Sequence, residues 1–175
     1  MRDVLNLVTV GLVAASVGLS GCGDASSPDL EVLSPNLKDG ARLDDRFTCT
    51  GDNEPPTLRW SGGPQSVQGW AVVAEDPEAP VGTFTLWLVT GLGPSTRSVG
   101  PQLPEAAVAS LTSAGQAGYS GPCPPTGEEH RIRYRVHALR RPLTLEPATS
   151  VQDARRRIEE LSLDAAELEV TARLT

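Results

Sequence analysis

Several things are scarce in this sequence, and each scarcity excludes something. Aromatic residues make up 4% of the 175 positions, so Val, Leu and Ala must supply most of any core. Positive charge is in the minority: 15 Lys and Arg stand against 22 Asp and Glu, a formal net charge of −7. Such a surface repels phosphate backbones, which excludes nucleic acid as a partner. The local exceptions, Arg155-Arg156-Arg157 and Arg140-Arg141, read as a solvated helix face and a charged strand end. The long apolar stretch, Val4 to Ser20, is too short and too rich in Gly and Ser at its end for a membrane span. No nucleophile-elbow motif is present, and Asp76, Glu78 and His130 do not have the spacing of a compact metal site. Neither a metal nor another cofactor is expected.

What is present begins with the leader. Arg2 precedes the apolar stretch, and Leu19-Ser20-Gly21-Cys22 closes it, the layout of a secretory signal. The closing tetrapeptide resembles the bacterial lipobox, in which small residues admit the peptidase and the Cys thiol takes the lipid. Residues 1–22 are therefore expected to be a signal peptide ending at a lipidated Cys22. Residues 23–29, small and polar, read as a tether, and a single domain fills 30–175. Two or more acyl chains on Cys22 anchor a protein stably in a membrane. The likeness to lipoproteins places the chain in the bacterial cell envelope. Gly23, where an Asp would signal retention at the inner membrane, favours the outer membrane. Arg2 and Asp3 cancel, so loss of the leader leaves the net charge unchanged.

With Cys22 used, Cys49 and Cys123 remain. In an exported protein an even pair suggests a disulfide, with two buried free thiols as the other arrangement.

Gly and Pro are plentiful, at 17 and 15, which suits short strands joined by tight turns. Gly69 to Ala74 and Phe84 to Val89 are apolar runs of strand length and the best core strands. Between them Asp76-Pro77-Glu78-Ala79-Pro80 must turn, because Pro donates no ladder hydrogen bond. Residues 91–129 are rich in Gly, Pro and Ser and read as a long irregular surface. Ile132, Tyr134, Val136 and Ala138 alternate with Arg131, Arg133, Arg135 and His137, the clearest period-two strand. That pattern puts His137 on the outward, basic face. Val151 to Leu161 carries an apolar stripe behind a Ser or Thr cap and is the one good helix. Glu167 to Leu174 alternates again and should be the last strand. The fold class is all-β with a short C-terminal helix.

Three stretches, taken in order, resemble the phosphatidylethanolamine-binding, Raf kinase inhibitor-like family in its bacterial YbhB/YbcL-type branch. They are Thr48-Cys49-Thr50-Gly51-Asp52-Asn53 running on through Pro55-Pro56 to Trp60, Asp76-Pro77-Glu78-Ala79-Pro80 with Gly82-Thr83-Phe84 and Trp87, and Gly118-Tyr119-Ser120-Gly121-Pro122-Cys123-Pro124-Pro125 with His130-Arg131 and His137-Ala138-Leu139. The likeness implies an antiparallel β-sandwich with a small pocket at one end that takes phosphate, phosphorylated head groups or similar anions. Carried over, Asp76 and Glu78 form one wall, Gly121 and Pro122 another, with backbone N–H groups of the Gly-rich turn such as that of Gly121 available to an anion, and His130 faces them. Leu86, Trp87 and Ile132 are implied at the rim. Three positions depart from the family pattern: Leu86 stands where a His is usual, Ile132 where a Tyr is usual, and Glu78 where an Asp is more common. Losing the imidazole and the phenol weakens anion binding and opens the pocket to more apolar ligands.

The function implied is a binding module with no catalytic residue, its partner a small anionic or phospholipid-like ligand. The alternative is an interaction or inhibitor module that grips a partner protein, a protease or kinase, with the pocket rim. A hydrolase using Cys123 and His130 is the third reading, and the Pro neighbours and possible disulfide of Cys123 count against it.

Overall fold

The alternating segment that announced a strand becomes the longest ladder in the fold. The computed structural model describes residues 28–174, and in it Glu129–Leu139 pairs antiparallel with Ser162–Arg173 along its whole length. In chain order the strands are β1 (Glu31–Leu33), β2 (Leu58–Ser61), β3 (Gly69–Asp76), β4 (Phe84–Leu92), β5 (Ser98–Val99), β6 (Val108–Ala109), β7 (Glu129–Leu139) and β8 (Ser162–Arg173), with helix α1 (Val151–Leu161) before the last. They form two antiparallel sheets, β1-β2-β5 and β6-β4-β3-β7-β8. The all-β class with one short helix holds. The leader, the lipidated Cys22 and most of the 23–29 tether lie outside the described residues. Pro28, at the end of that tether, is already tied to the domain by the Gly63 N–H at 2.9 Å.

The central strands β3 and β4 of the five-stranded sheet are covered on both faces, which is why β3 reads as an unbroken apolar run rather than an alternation. Trp70, Val72 and Ala74 pack between the sheets with Trp60, Leu58 and Val99. Ala71 and Val73 face the other way and meet Leu88, Leu139, Ala154 and Ile158. Trp60, Trp70 and Trp87 are all core residues.

Helix α1 supplies the second cover. The Ser150 hydroxyl accepts from the Asp153 N–H at 3.2 Å, capping its start. Ala154 and Ile158, one turn apart, put the apolar stripe onto the sheet. Arg156 lies on the opposite face, bonded to Asp153 and Glu160. Arg155, expected to be solvated, instead reaches Glu75 of β3 at 2.9 Å.

The basic face of β7 is matched by an acidic one. Arg133 faces Glu169 and Arg135 faces Glu167 in register across β8, at 3.1 and 2.6 Å. Strand β8 begins at Ser162, five residues before the alternation at Glu167, because residues 162–166 continue the ladder against Val136 to Leu139 of β7. His137 departs from the expected surface position. It is 7% exposed beneath the helix-covered part of the sheet, with Nδ1 3.2 Å from Ser162 Oγ. Strand periodicity assigns a face but does not say whether another element covers it. The 91–129 stretch is also less irregular than expected, since it holds β5, β6 and the bridges Leu111–Ala117 and Trp87–Tyr119.

Burial, with Arg135 nearby, pushes the His137 pKa down to about 4. The folded protein binds this proton more weakly than the unfolded chain. Its contribution to stability is therefore complete above pH 6.5 and is lost as pH falls toward 4. A shift of that size corresponds to about 3 kcal/mol. Urea unfolding from pH 7 to pH 4 should show a shallower loss of stability in His137→Gln than in the unmodified protein. Equal slopes would contradict the burial described here.

Candidate functional site

The site is built where β3 ends and β7 begins. Pro77 cannot extend the ladder, so the chain leaves the sheet directly after Asp76. The Asp76 carboxylate remains, 4% exposed, with both oxygens engaged. Its Oδ1 accepts from the Glu78 N–H at 2.9 Å, closing the turn. Its Oδ2 accepts from His130 Nδ1 at 2.7 Å, although the two residues are 54 apart in sequence. His130 is itself only 4% exposed.

Burial pulls the His130 pKa down, but the hydrogen bond and charge of Asp76, helped by Glu128, carry it above 6.5. Glu128 Oε2 lies 3.6 Å from Nε2, close enough to act through charge. The sign is opposite to that of His137. The contribution of His130 is complete below pH 6.5 and is lost as pH rises through the raised value.

This pair borders a cavity of about 430 Å³. Its walls come from Ala79, Pro80 and Val81 in the β3–β4 turn, Phe84 and Leu86 of β4, Ala114, Ser120, Gly121, and the Cys49 and Cys123 half-cystines. Among the described residues no Lys or Arg lines it, so Asp76 and His130 are the charged groups there.

The far wall is latched from two directions. Cys49 and Cys123 form a disulfide, Cα–Cα 5.4 Å, across 74 residues. The Cys49 N–H donates to the Pro122 carbonyl at 3.2 Å. Asn53, held at φ +56°, turns its Oδ1 to accept the Gly121 N–H at 2.7 Å. A side chain at position 121 is excluded, because a Cβ there would sit 2.6 Å from the Phe47 carbonyl oxygen. Beneath this wall the buried Tyr134 hydroxyl donates to Tyr119 Oη at 3.1 Å, and Tyr119 donates to the Phe47 carbonyl at 2.9 Å. Burial raises both phenol pKa values.

The fold thus brings Asp76, His130, Gly121 and Leu86 to one cavity. Other expected positions fall elsewhere. Glu78 turns away and clasps Arg131, accepting from its backbone N–H at 2.7 Å and its Nε at 2.9 Å. That backbone bond, with the guanidinium, lowers the Glu78 pKa. The Pro122 side chain does not line the cavity, and its carbonyl is spent on Cys49. The Gly121 N–H expected to be free for an anion is spent on Asn53. Trp87 and Ile132 are 1% and 0% exposed and belong to the sandwich core, Trp87 standing edge-on to Tyr119 at 6.0 Å. Sequence reasoning missed Phe84, Ala114 and Ser120 as lining, and the Tyr119–Tyr134 pair. Only Phe84 and the Gly118-Tyr119-Ser120 stretch lay within motifs that could have pointed to them.

Comparison with known proteins agrees with the fold. A family model described as phosphatidylethanolamine-binding protein matches residues 33–173. A UPF0098 protein of Methanothermobacter thermautotrophicus is 36% identical over 75% of this chain and 91% of its own. LppC of Mycobacterium tuberculosis, named as a candidate lipoprotein, is 36% identical over 85% of this chain and 86% of its own. The crystal structure of E. coli YbcL, titled a member of the mammalian PEBP family, superposes with a TM-score of 0.80 at 25% identity. It covers 85% of this chain and all of YbcL.

If Asp76 holds the His130 proton, NMR titration should place one of the two histidines above pH 6.5 and the other well below. Asp76→Asn should lower the higher value. An unchanged value in that variant would show that the pair is not formed.

Proposed function

The chain belongs to the phosphatidylethanolamine-binding protein family, and from that premise we propose that it is an envelope binding module whose cavity takes a zwitterionic or anionic head group. One observation carries the reading: a hydrogen-bonded Asp76–His130 pair, 2.7 Å apart and almost wholly shielded, borders a cavity with no other charge in its walls among the described residues. A cavity with a few convergent polar groups and apolar walls is the usual form of a small-ligand site.

The pair divides the work of recognition. The Asp76 carboxylate retains acceptor capacity for an ammonium or hydroxyl donor. His130, whose protonated form Asp76 stabilises, offers Nε2 to a phosphate oxygen. A bare phosphate gains the second contact and suffers repulsion from Asp76. A phosphoethanolamine group satisfies both. Phe84, Leu86 and Val81 then face whatever apolar part continues from the head group. Val81, 84% exposed, sits at the lip. Leu86 in place of an imidazole removes a second donor, which favours ligands with apolar substituents over small anions.

The envelope location rests on the Leu19-Ser20-Gly21-Cys22 motif and on the likeness to LppC. Acylation of Cys22 would hold the module at a membrane surface. Among the described residues no helix is long and apolar enough to cross a membrane. Binding fits a site whose imidazole is already paired with a buried carboxylate.

Phosphoethanolamine should raise the melting temperature at pH 6, and inorganic phosphate should do so less. Asp76→Asn and His130→Ala should each abolish the shift. Leu86→His should strengthen phosphate binding by about tenfold, the value of one charge-assisted hydrogen bond. A shift that survives both Asp76→Asn and His130→Ala would place the ligand elsewhere.

A further inference from the structure

The disulfide is placed where a structural crosslink need not be. Cys49 and Cys123 both line the ligand cavity, and both residues are exposed to solvent. A disulfide that only braces a fold gains nothing from either property. Exposed disulfides are the ones open to attack by an external thiolate. We propose that Cys49–Cys123 is a thiol–disulfide exchange site, and that its reduction by a dithiol unlatches one wall of the cavity and weakens ligand binding.

The chemistry is ordinary exchange. A reductant thiolate attacks one cystine sulfur, the S–S bond breaks, and the other cysteine leaves as a thiolate that takes up a proton. The second thiolate of the reductant resolves the mixed disulfide. Two electrons pass to the protein, Cys49 and Cys123 become thiols, and the reductant becomes a disulfide.

The structural consequence follows from what else joins the two segments. Apart from the disulfide, residues 46–53 and 119–124 are held by Cys49 N–H to Pro122 carbonyl, by Gly121 N–H to Asn53 Oδ1, and by Tyr119 to the Phe47 carbonyl. The first of these lies at the sulfur bridge itself. At 3.2 Å it is longer than the Gly121–Asn53 bond at 2.7 Å. Cys49, Thr50 and Cys123 are exposed and lie outside any sheet, while Thr48, Pro122 and Pro124 beside them are buried, so what reduction frees is the exposed lip of the wall. The core beneath is a different matter. Strands β3 and β4 are paired over most of their length and buried on both faces, and β7 is paired along its whole length with one face in the core. Reduction should therefore loosen the wall and leave the sandwich standing.

The inference rests on the cavity being a ligand site, and the test separates the two. The full-length protein is treated with excess dithiothreitol without denaturant, and free thiols are counted. Amide hydrogen exchange and phosphoethanolamine affinity are then measured in both redox states. The expected result is exchange at Cys49, Asn53 and Gly121 faster by about tenfold or more, the value of one or two backbone hydrogen bonds, with Val72 and Val136 unchanged. Affinity for phosphoethanolamine should fall by a similar factor. Loosened exchange with no binding in the oxidised protein would support the unlatching and refute the head-group reading alone. Failure to reduce, exchange that rises equally in β3 and β7, or equal affinity in both redox states would overturn the proposal.

Discussion

The hydrogen bond between Asp76 and His130 is the constraint on which the site depends. It joins the end of one central strand to the start of its neighbour, just where the ladder between them stops. Burying a carboxylate and an imidazole is costly, and the cost is offset only because each satisfies the other. Asp76 is further held by the Glu78 amide, so the turn that carries Ala79, Pro80 and Val81 is shaped by the same carboxylate that orients the imidazole. Cavity wall and cavity charge thus share one origin.

Around that pair the fold spends most of its other polar groups on itself. Gly121 gives its N–H to Asn53, Glu78 gives its carboxylate to Arg131, and Tyr119 and Tyr134 satisfy one another and the Phe47 carbonyl. What remains facing the cavity is one pair of charges, one serine and a largely apolar surface. The substitution that places Leu86 in this wall is consistent with that economy. A cavity with few free donors recognises a ligand by shape and one or two polar contacts, and it tolerates an apolar extension.

Much of the framework could be read from the chain. The alternation from Ile132 to Ala138, the unbroken run at Gly69 to Ala74 and the capped stripe from Val151 to Leu161 each carry their own periodicity, and each became the expected element. The meeting of Asp76 and His130 was legible only through resemblance, because nothing local joins residues 54 apart. The errors have a common cause. Glu78 and the Gly121 N–H were assigned by resemblance and His137 by periodicity, whereas their roles are set by partners from other segments: Arg131, Asn53 and the cover over β7. Trp87 and Ile132 were placed at a rim by analogy, and their size and apolarity took them into the core instead.

The most direct test of the account is a double-mutant cycle on Asp76 and His130, read by urea unfolding at pH 6. Asp76→Asn, His130→Gln and the double variant should give a coupling of about 1.5–3 kcal/mol, the range for a buried charge-assisted hydrogen bond. Additive effects, with a coupling near zero, would mean that the two residues do not hold the two turns together, and the site would lose its physical basis.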